Sequence, residues 1–246
     1  MISARDNCII LLIDSPVPER LAPELRTAFG AERAERVNFY LLQHTYKLAK
    51  QFKGAFLILS FDKSPQHPDL TWLDADDPGF LEAKGKNAEC RTAEAFQLAF
   101  NTGAKKVLLL NHLSPGVKPE WLYQTFEAVT DKTISLGTNR NGSVYLVGLT
   151  INNLNILEGL SLTSIKAAEE LSEKAKKNKL GVFALPATDT IRTEDALRSW
   201  LDAEDSAPSL FMKEPASIPA AEPASFVPEF LPGASDGSGR AKLGSK

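Results

Sequence analysis

This chain is poor in the residues that usually announce chemistry. Its 246 residues hold two cysteines, three histidines, three tryptophans and two methionines. Two cysteines, Cys8 and Cys90, are too few for a disulfide scaffold or a cysteine-rich metal site. Cys8 lies in an apolar run and reads as a small core residue. Positive charge is not in excess. A net charge of -3 argues against a protein built to hold nucleic acid or an anionic membrane. No apolar run reaches the roughly 20 residues of a membrane helix. The run from Cys8 to Ile13 meets Asp14 and Pro16 too soon for a secretory signal, so a cytoplasmic protein is expected.

What is present is core. Hydrophobic residues make up 43% of the chain, enough for one sizeable domain. The best organised stretch runs from Gly103 to Leu149. Val107-Leu108-Leu109-Leu110 reads as a buried strand that stops at the polar turn Asn111-His112-Leu113-Ser114-Pro115-Gly116. Pro119 then suits a first helical turn, with Trp121, Leu122, Thr125, Phe126 and Val129 at helical spacing behind it. Thr133 to Gly137 is a second strand, residues 138 to 143 a second polar turn, and Val144 to Leu149 a third strand. Strand, helix, strand, loop and strand make half of a three-layer α/β/α domain with a mostly parallel sheet. Ligands in such sheets sit beyond the carboxyl ends of the strands, so the two polar turns are the places to look for a site.

Upstream, Asn7 to Ile13 predicts the first strand and residues 20 to 50 a long helical stretch interrupted around Gly30. Ala55 to Phe61 is the next strand, which makes a parallel βαβ unit. Phe80 and Leu81 suggest a short strand, and residues 89 to 101 an amphipathic helix. Downstream, Leu154, Leu157 and Leu160 turn the pattern helical, residues 165 to 179 form a helix charged on one side, and Gly181 to Leu185 a last strand. Thr193-Glu194-Asp195 has the form of a helix cap. The domain is expected over residues 5 to 203. Residues 204 to 246, rich in Pro, Ala, Ser and Gly, read as a disordered tail. Its apolar island, Phe226 to Leu231, leaves docking on a partner protein open.

Among the polar residues, His112 has a plausible site position in the crevice turn but no orienting partner legible in the sequence. His44 reads as a packed helix residue. His67 between Asp62 and Asp69 matches no ligand spacing, and Asp74, Asp76 and Asp77 read as a solvated loop. The lysines at 174, 176, 177 and 179 alternate with glutamates as a solvated helix face does.

Several short motifs stand in a telling order. They are Asp14-Ser15-Pro16, Arg20-Leu21, Arg91 ahead of Ala95-Phe96, Asn111-His112-Leu113-Ser114-Pro115, Asn141-Gly142-Ser143-Val144-Tyr145-Leu146-Val147-Gly148-Leu149, and Asp189-Thr190-Ile191-Arg192-Thr193-Glu194-Asp195. Over roughly residues 7 to 200 this order resembles a bacterial glycosyltransferase-A-like family that contains proteins assigned to arsenosugar biosynthesis. The resemblance implies a glycosyltransferase-A-like, Rossmann-related fold for nucleotide-diphospho-sugars. It implies a phosphate-binding set of Arg20, Arg91, Asn111 and Ser114, and a sugar or acceptor set of Asn141, Gly142 and Tyr145.

The departures fall where that family keeps its chemistry. Its acidic metal ligand at the end of a central strand corresponds to Leu113, its turn Asp to Asn141, its second acidic position near the end to Ile191, and its first-loop Lys to Asp14. A hard cation needs oxygen ligands, so no metal site is expected, and manganese or magnesium would require another ligand set. The expectation is a catalytically impaired homologue that keeps nucleotide, sugar or partner binding. The alternatives are an active metal-independent glycosyl- or nucleotidyltransferase, with Arg20 and Arg91 on phosphate and His112 and Asn141 at the acceptor, and a non-catalytic interaction protein. Fold alone does not separate them.

Overall fold

The computed structural model describes residues 6–13, 21, 23–62, 80–83 and 88–203, all within one compact unit, Met1–Asp205. The strands are β1 (Asn7–Ile13), β2 (Phe56–Asp62), β3 (Phe80–Ala83), β4 (Lys106–Leu110), β5 (Thr133–Thr138), β6 (Val144–Leu149) and β7 (Gly181–Ala184). The α-helices are α1 (Pro23–Phe29), α2 (Ala31–Gln51), α3 (Ala88–Asn101), α4 (Pro119–Ala128), α5 (Ala167–Lys177) and α6 (Glu194–Ala203). The apolar pattern at 154, 157 and 160 folds in part as a 3-10 helix, Ile151–Leu157. The expected tail, residues 204–246, lies outside the described residues.

One seven-stranded sheet in the order β3-β2-β1-β4-β6-β5-β7 forms the middle layer. Every neighbouring pair is parallel except β6, which runs antiparallel to β4 and β5. From β1 the chain steps outward through β2 and β3, then returns to the other side of β1 as β4. The strand order therefore reverses between β1 and β4, which is where open α/β sheets form their crevice.

Past their first residues, Asn7 and Lys106, the two central strands are apolar because helices cover both faces. Alternate residues go to opposite sides. Cys8, Ile10, Val107 and Leu109 pack with Ala95, Phe96 and Ala99 of α3 and with Leu171 and Ala175 of α5. Ile9, Leu11, Leu108 and Leu110 pack with Leu42, Tyr46 and Ala49 of α2 and with Leu122 and Phe126 of α4. Burying a leucine or isoleucine here contributes about 2 kcal/mol each, opposed by the entropy of ordering the chain.

Gly30 separates α1 from α2 with φ +74° and ψ 163°, a conformation that essentially only glycine adopts. Behind it α2 presents Val37, Leu41, Leu42, Leu48 and Ala49 on its buried face, together with two polar residues, Asn38 and Thr45. Helix α6 lies along α2. Arg33 pairs with Glu194 at 2.7 Å, and the Trp200 ring meets Tyr40 and His44 at 5.8 and 5.2 Å. Thr193 caps α6 by accepting the Ala196 N–H at 3.2 Å.

Candidate functional site

The end of β4 is closed by a side chain of its own turn. Asn111 Oδ1 accepts the Leu113 N–H at 2.9 Å, and the Asn111 N–H donates to the Tyr145 carbonyl at 2.8 Å, so the turn is held to β6. A pocket opens there. It is lined by Leu12 of β1, Ser60 of β2, Arg91 and Thr92 of α3, residues 109–113, Val144 of β6 and residues 161–163. All of these strand residues lie at the carboxyl ends of β1, β2 and β4 or at the facing start of antiparallel β6. The walls are mostly apolar, with one guanidinium, one imidazole and several hydroxyls. The cavity within them, about 80 Å³, is small beside the roughly 300–1,000 Å³ of a drug-sized ligand site.

His112 is buried, and its Nε2 lies 2.7 Å from Asn38 Oδ1 on α2. Thr45, two turns further along α2, donates its hydroxyl to the His112 carbonyl at 3.5 Å. The orienting partner absent from the sequence reading is therefore Asn38. The signal that could have found it is a pair of polar residues on an otherwise apolar helix face.

The second turn is tied to the first through a directed chain of hydrogen bonds. Ser114 Oγ donates to Asn139 Oδ1 at 3.0 Å, Asn139 Nδ2 to Ser143 Oγ at 2.9 Å, and Ser143 Oγ to Asn141 Oδ1 at 2.7 Å. Ser114, Asn139 and Ser143 are buried. Each hydroxyl donates once and the amide uses both ends, so the buried polar atoms are mutually satisfied. Asn141 also accepts the Ser143 N–H at 3.0 Å. Its oxygen is a turn cap, which either an amide or a carboxylate can supply. Gly142 has φ +89°, and a Cβ there would come within 2.0 Å of the Ile165 carbonyl oxygen.

Of the residues expected at the site, the structure gathers Arg91, Asn111 and His112 in one pocket. Ser114, Asn141 and Gly142 build the adjoining turns. Tyr145 is not among the pocket residues. It is fully buried on the α2 and α4 face of the sheet, and its hydroxyl donates to the Pro186 carbonyl at 2.8 Å. The two faces of a strand diverge, so Val144 lines the pocket and Tyr145 points away from it. Burial pushes the Tyr145 phenol above its ordinary ionisation range, and does the same to the Cys8 thiol, which reads as inert core. Lys106, at the far end of β4, donates to the Phe126 carbonyl at the end of α4. Burial lowers its ammonium pKa, with Glu127 opposing. Asp14, Arg20, His67, Asp69, Asp74, Asp76 and Asp77 lie outside the described residues.

Among the described residues, the side chains at the acidic positions of the family that the sequence resembles, Leu113 and Ile191, offer a divalent cation no oxygen ligand. Leu113 and Ile191 are both buried, and they are neighbours, since the Ile191 N–H donates to the Leu113 carbonyl at 2.7 Å. Beside them the carboxylate of Asp189 pairs with Arg140. Among the described residues no three His, Cys, Asp or Glu side chains gather into a metal-binding group. Arg192 braces the pocket wall by donating to the Thr163 carbonyl and to Glu24, each at 3.3 Å.

No protein-family model matches this chain, and no curated protein matches it in sequence. Solved structures do. A Desulfovibrio desulfuricans protein assigned as a nucleotide-diphospho-sugar transferase superposes with a TM-score of 0.71 at 19% identity, covering 83% of this chain and 90% of that one. The 4-diphosphocytidyl-2C-methyl-D-erythritol synthase of Anaerococcus prevotii superposes with a TM-score of 0.55 at 13% identity, covering 82% and 98%. A Mycobacterium tuberculosis protein solved with manganese gives 0.51 at 15% identity, covering 80% and 99%. The sheet order, the antiparallel β6 and these superpositions together make this a mixed α/β chain with the nucleotide-diphospho-sugar transferase fold.

Proposed function

We propose that this chain binds a nucleotide-sugar in the crevice between β1 and β4 without a divalent cation, and that it is impaired as a transferase. The observation that carries the reading is the pair Leu113 and Ile191. Where the resemblance puts an acidic metal ligand stands Leu113, and where it puts a second acidic residue stands Ile191; both are buried, and one backbone hydrogen bond joins them. A cation held there would neutralise the pyrophosphate and stabilise the leaving group, and without oxygen ligands that contribution is lost. Arg91, with Asn111 beside it, is the phosphate contact in this reading, and Arg20 a second one. Ser114, Asn141 and Gly142 shape the turns. Kinship with the arsenosugar-associated family rests on the ordered motifs.

Thermal unfolding tests the reading. With UDP-, GDP- or dTDP-sugars in about hundredfold excess over Kd, the midpoint rises by roughly 5 °C, equally with and without manganese. A rise that requires manganese overturns the metal-free reading. No rise with any of these sugars favours the interaction protein. One observation favours activity instead: the histidine that lines the pocket is oriented by an amide, as an acid-base group would be. Release of free sugar or nucleoside diphosphate on incubation with those donors would establish it.

A further inference from the structure

We infer that Arg192 is a phosphate-binding residue whose guanidinium serves the diphosphate of a bound nucleotide-sugar in place of a cation, and that Glu24 is the internal carboxylate which the diphosphate displaces. The inference rests on the nucleotide-sugar reading above. It starts from the stretch 190–192, which that reading uses only through Ile191. The Thr190 hydroxyl and the Ile191 N–H both donate to the Leu113 carbonyl, at 3.4 and 2.7 Å, so this stretch is joined to the turn after β4. Arg192 comes next and donates from Nη2 to the Thr163 carbonyl at 3.3 Å. Leu113 and Thr163 both line the pocket. A positive charge thus stands against the pocket wall, one residue from the position where the resemblance puts an acidic side chain and this chain has Ile191.

That charge is weakly compensated. The Arg192 side chain is only 18% exposed, so most of it has left water. Among the described residues its anionic partner is Glu24, in the first turn of α1, reached from Nη1 to a single carboxylate oxygen at 3.3 Å. Glu24 is itself 52% exposed. The Arg192 Nε is buried with no hydrogen-bond partner, which is unfavourable for a donor out of water. A guanidinium holds a carboxylate or phosphate best as a fork with two parallel bonds. Here one long ionic contact and one neutral carbonyl leave the fork unfilled. A single-point, half-exposed ion pair contributes little, so it is readily exchanged. A diphosphate brings more charge and more acceptor oxygens than Glu24 does. Turning from Glu24 to a phosphate gives Nη1 and Nε a common partner, and gives the diphosphate countercharge that Leu113 and Ile191 cannot recruit through a metal.

Calorimetric titration of the full chain in EDTA with UDP-, GDP- and dTDP-sugars, and with inorganic pyrophosphate, tests the inference. Glu24→Gln removes the competing charge at an exposed position and should tighten whichever sugar nucleotide binds by about fivefold. Arg192→Gln keeps an amide donor for the wall but no charge, and should weaken the same ligand by about tenfold or more. A tie that merely fastens α1 to the wall predicts the other sign at Glu24, because breaking it loosens the site. Unchanged or weaker binding in Glu24→Gln therefore overturns the inference and leaves the nucleotide-sugar reading standing. Full-strength binding in Arg192→Gln does the same. If no sugar nucleotide binds, that reading falls. The Arg192 phosphate site then stands only if pyrophosphate binds, more tightly in Glu24→Gln and more weakly in Arg192→Gln, and otherwise falls with it.

Discussion

The hydroxyl of Ser114 donates to Oδ1 of Asn139 at 3.0 Å, with both residues buried, and this bond fastens the turn after β4 to the turn before β6. The two residues are 25 apart in sequence, and the first turn lines the pocket through Asn111, His112 and Leu113. Ser114→Ala leaves the Asn139 oxygen without its donor in a buried place. The expected cost is about 2 kcal/mol, measured by urea unfolding. Asn141→Asp keeps an oxygen for the Ser143 N–H and should be nearly neutral, whereas Asn141→Ala loses the turn cap and about 1 kcal/mol. Equal costs for the two substitutions at 141 would remove the turn-cap assignment.

Gly142 combines a left-handed backbone with the Ile165 carbonyl at 2.0 Å from any added Cβ. Gly142→Ala therefore meets strain and a clash with backbone, which cannot rotate aside. A destabilisation of about 3 kcal/mol or more is expected in equilibrium unfolding. A loss below about 1 kcal/mol would mean that the turn takes another conformation in solution.

Tyr145 supplies a pH prediction. Its phenol is raised by burial in the folded chain, so in the unfolded chain it loses its proton first, near its ordinary pKa of about 10. The folded state then binds more protons than the unfolded one. The stability contributed is fully present below about pH 10 and declines as pH rises beyond it. Tyr145→Phe should cost about 1 kcal/mol at neutral pH through the lost bond to Pro186, and should make unfolding between about pH 10 and 11 less pH-dependent. Nucleotide-sugar binding should be unchanged, because the ring lies on the other face of the sheet from the pocket.

Leu113 and Ile191 can be used to test the proposed loss of a metal site. Leu113→Asp together with Ile191→Asp puts two carboxylates where the backbone hydrogen bond brings these positions together. Alone they should destabilise the fold by about 3 kcal/mol or more, since buried like charges are uncompensated. Manganese should restore much of that loss by supplying the missing countercharge. Destabilisation with no response to manganese would show that the two positions do not form a ligand pair.

The layer architecture was readable because the residues that build it are read locally. Cys8 to Leu11 and Val107 to Leu110 are apolar at every position, as strands covered on both faces must be, and Gly30 marked the break between α1 and α2 through a backbone only glycine accepts. The side of the sheet that Tyr145 faces was not readable. All six residues of β6 are buried, so hydropathy shows no alternation to separate one face from the other. The pocket wall at 161–163 and the support at Asn38 were equally hidden, as each meets His112 or its neighbours only through the packing of distant elements.

Periodicity and punctuation, which depend on nearest neighbours along the chain, were enough to specify strands, helices, the crevice turns and the absence of carboxylates at Leu113 and Ile191. Which polar groups meet depends on register and helix placement, and these are set by burying the whole apolar surface at once. Only tertiary packing could therefore pair Asn38 with His112, join Ser114 to Asn139, and turn Tyr145 away from the site.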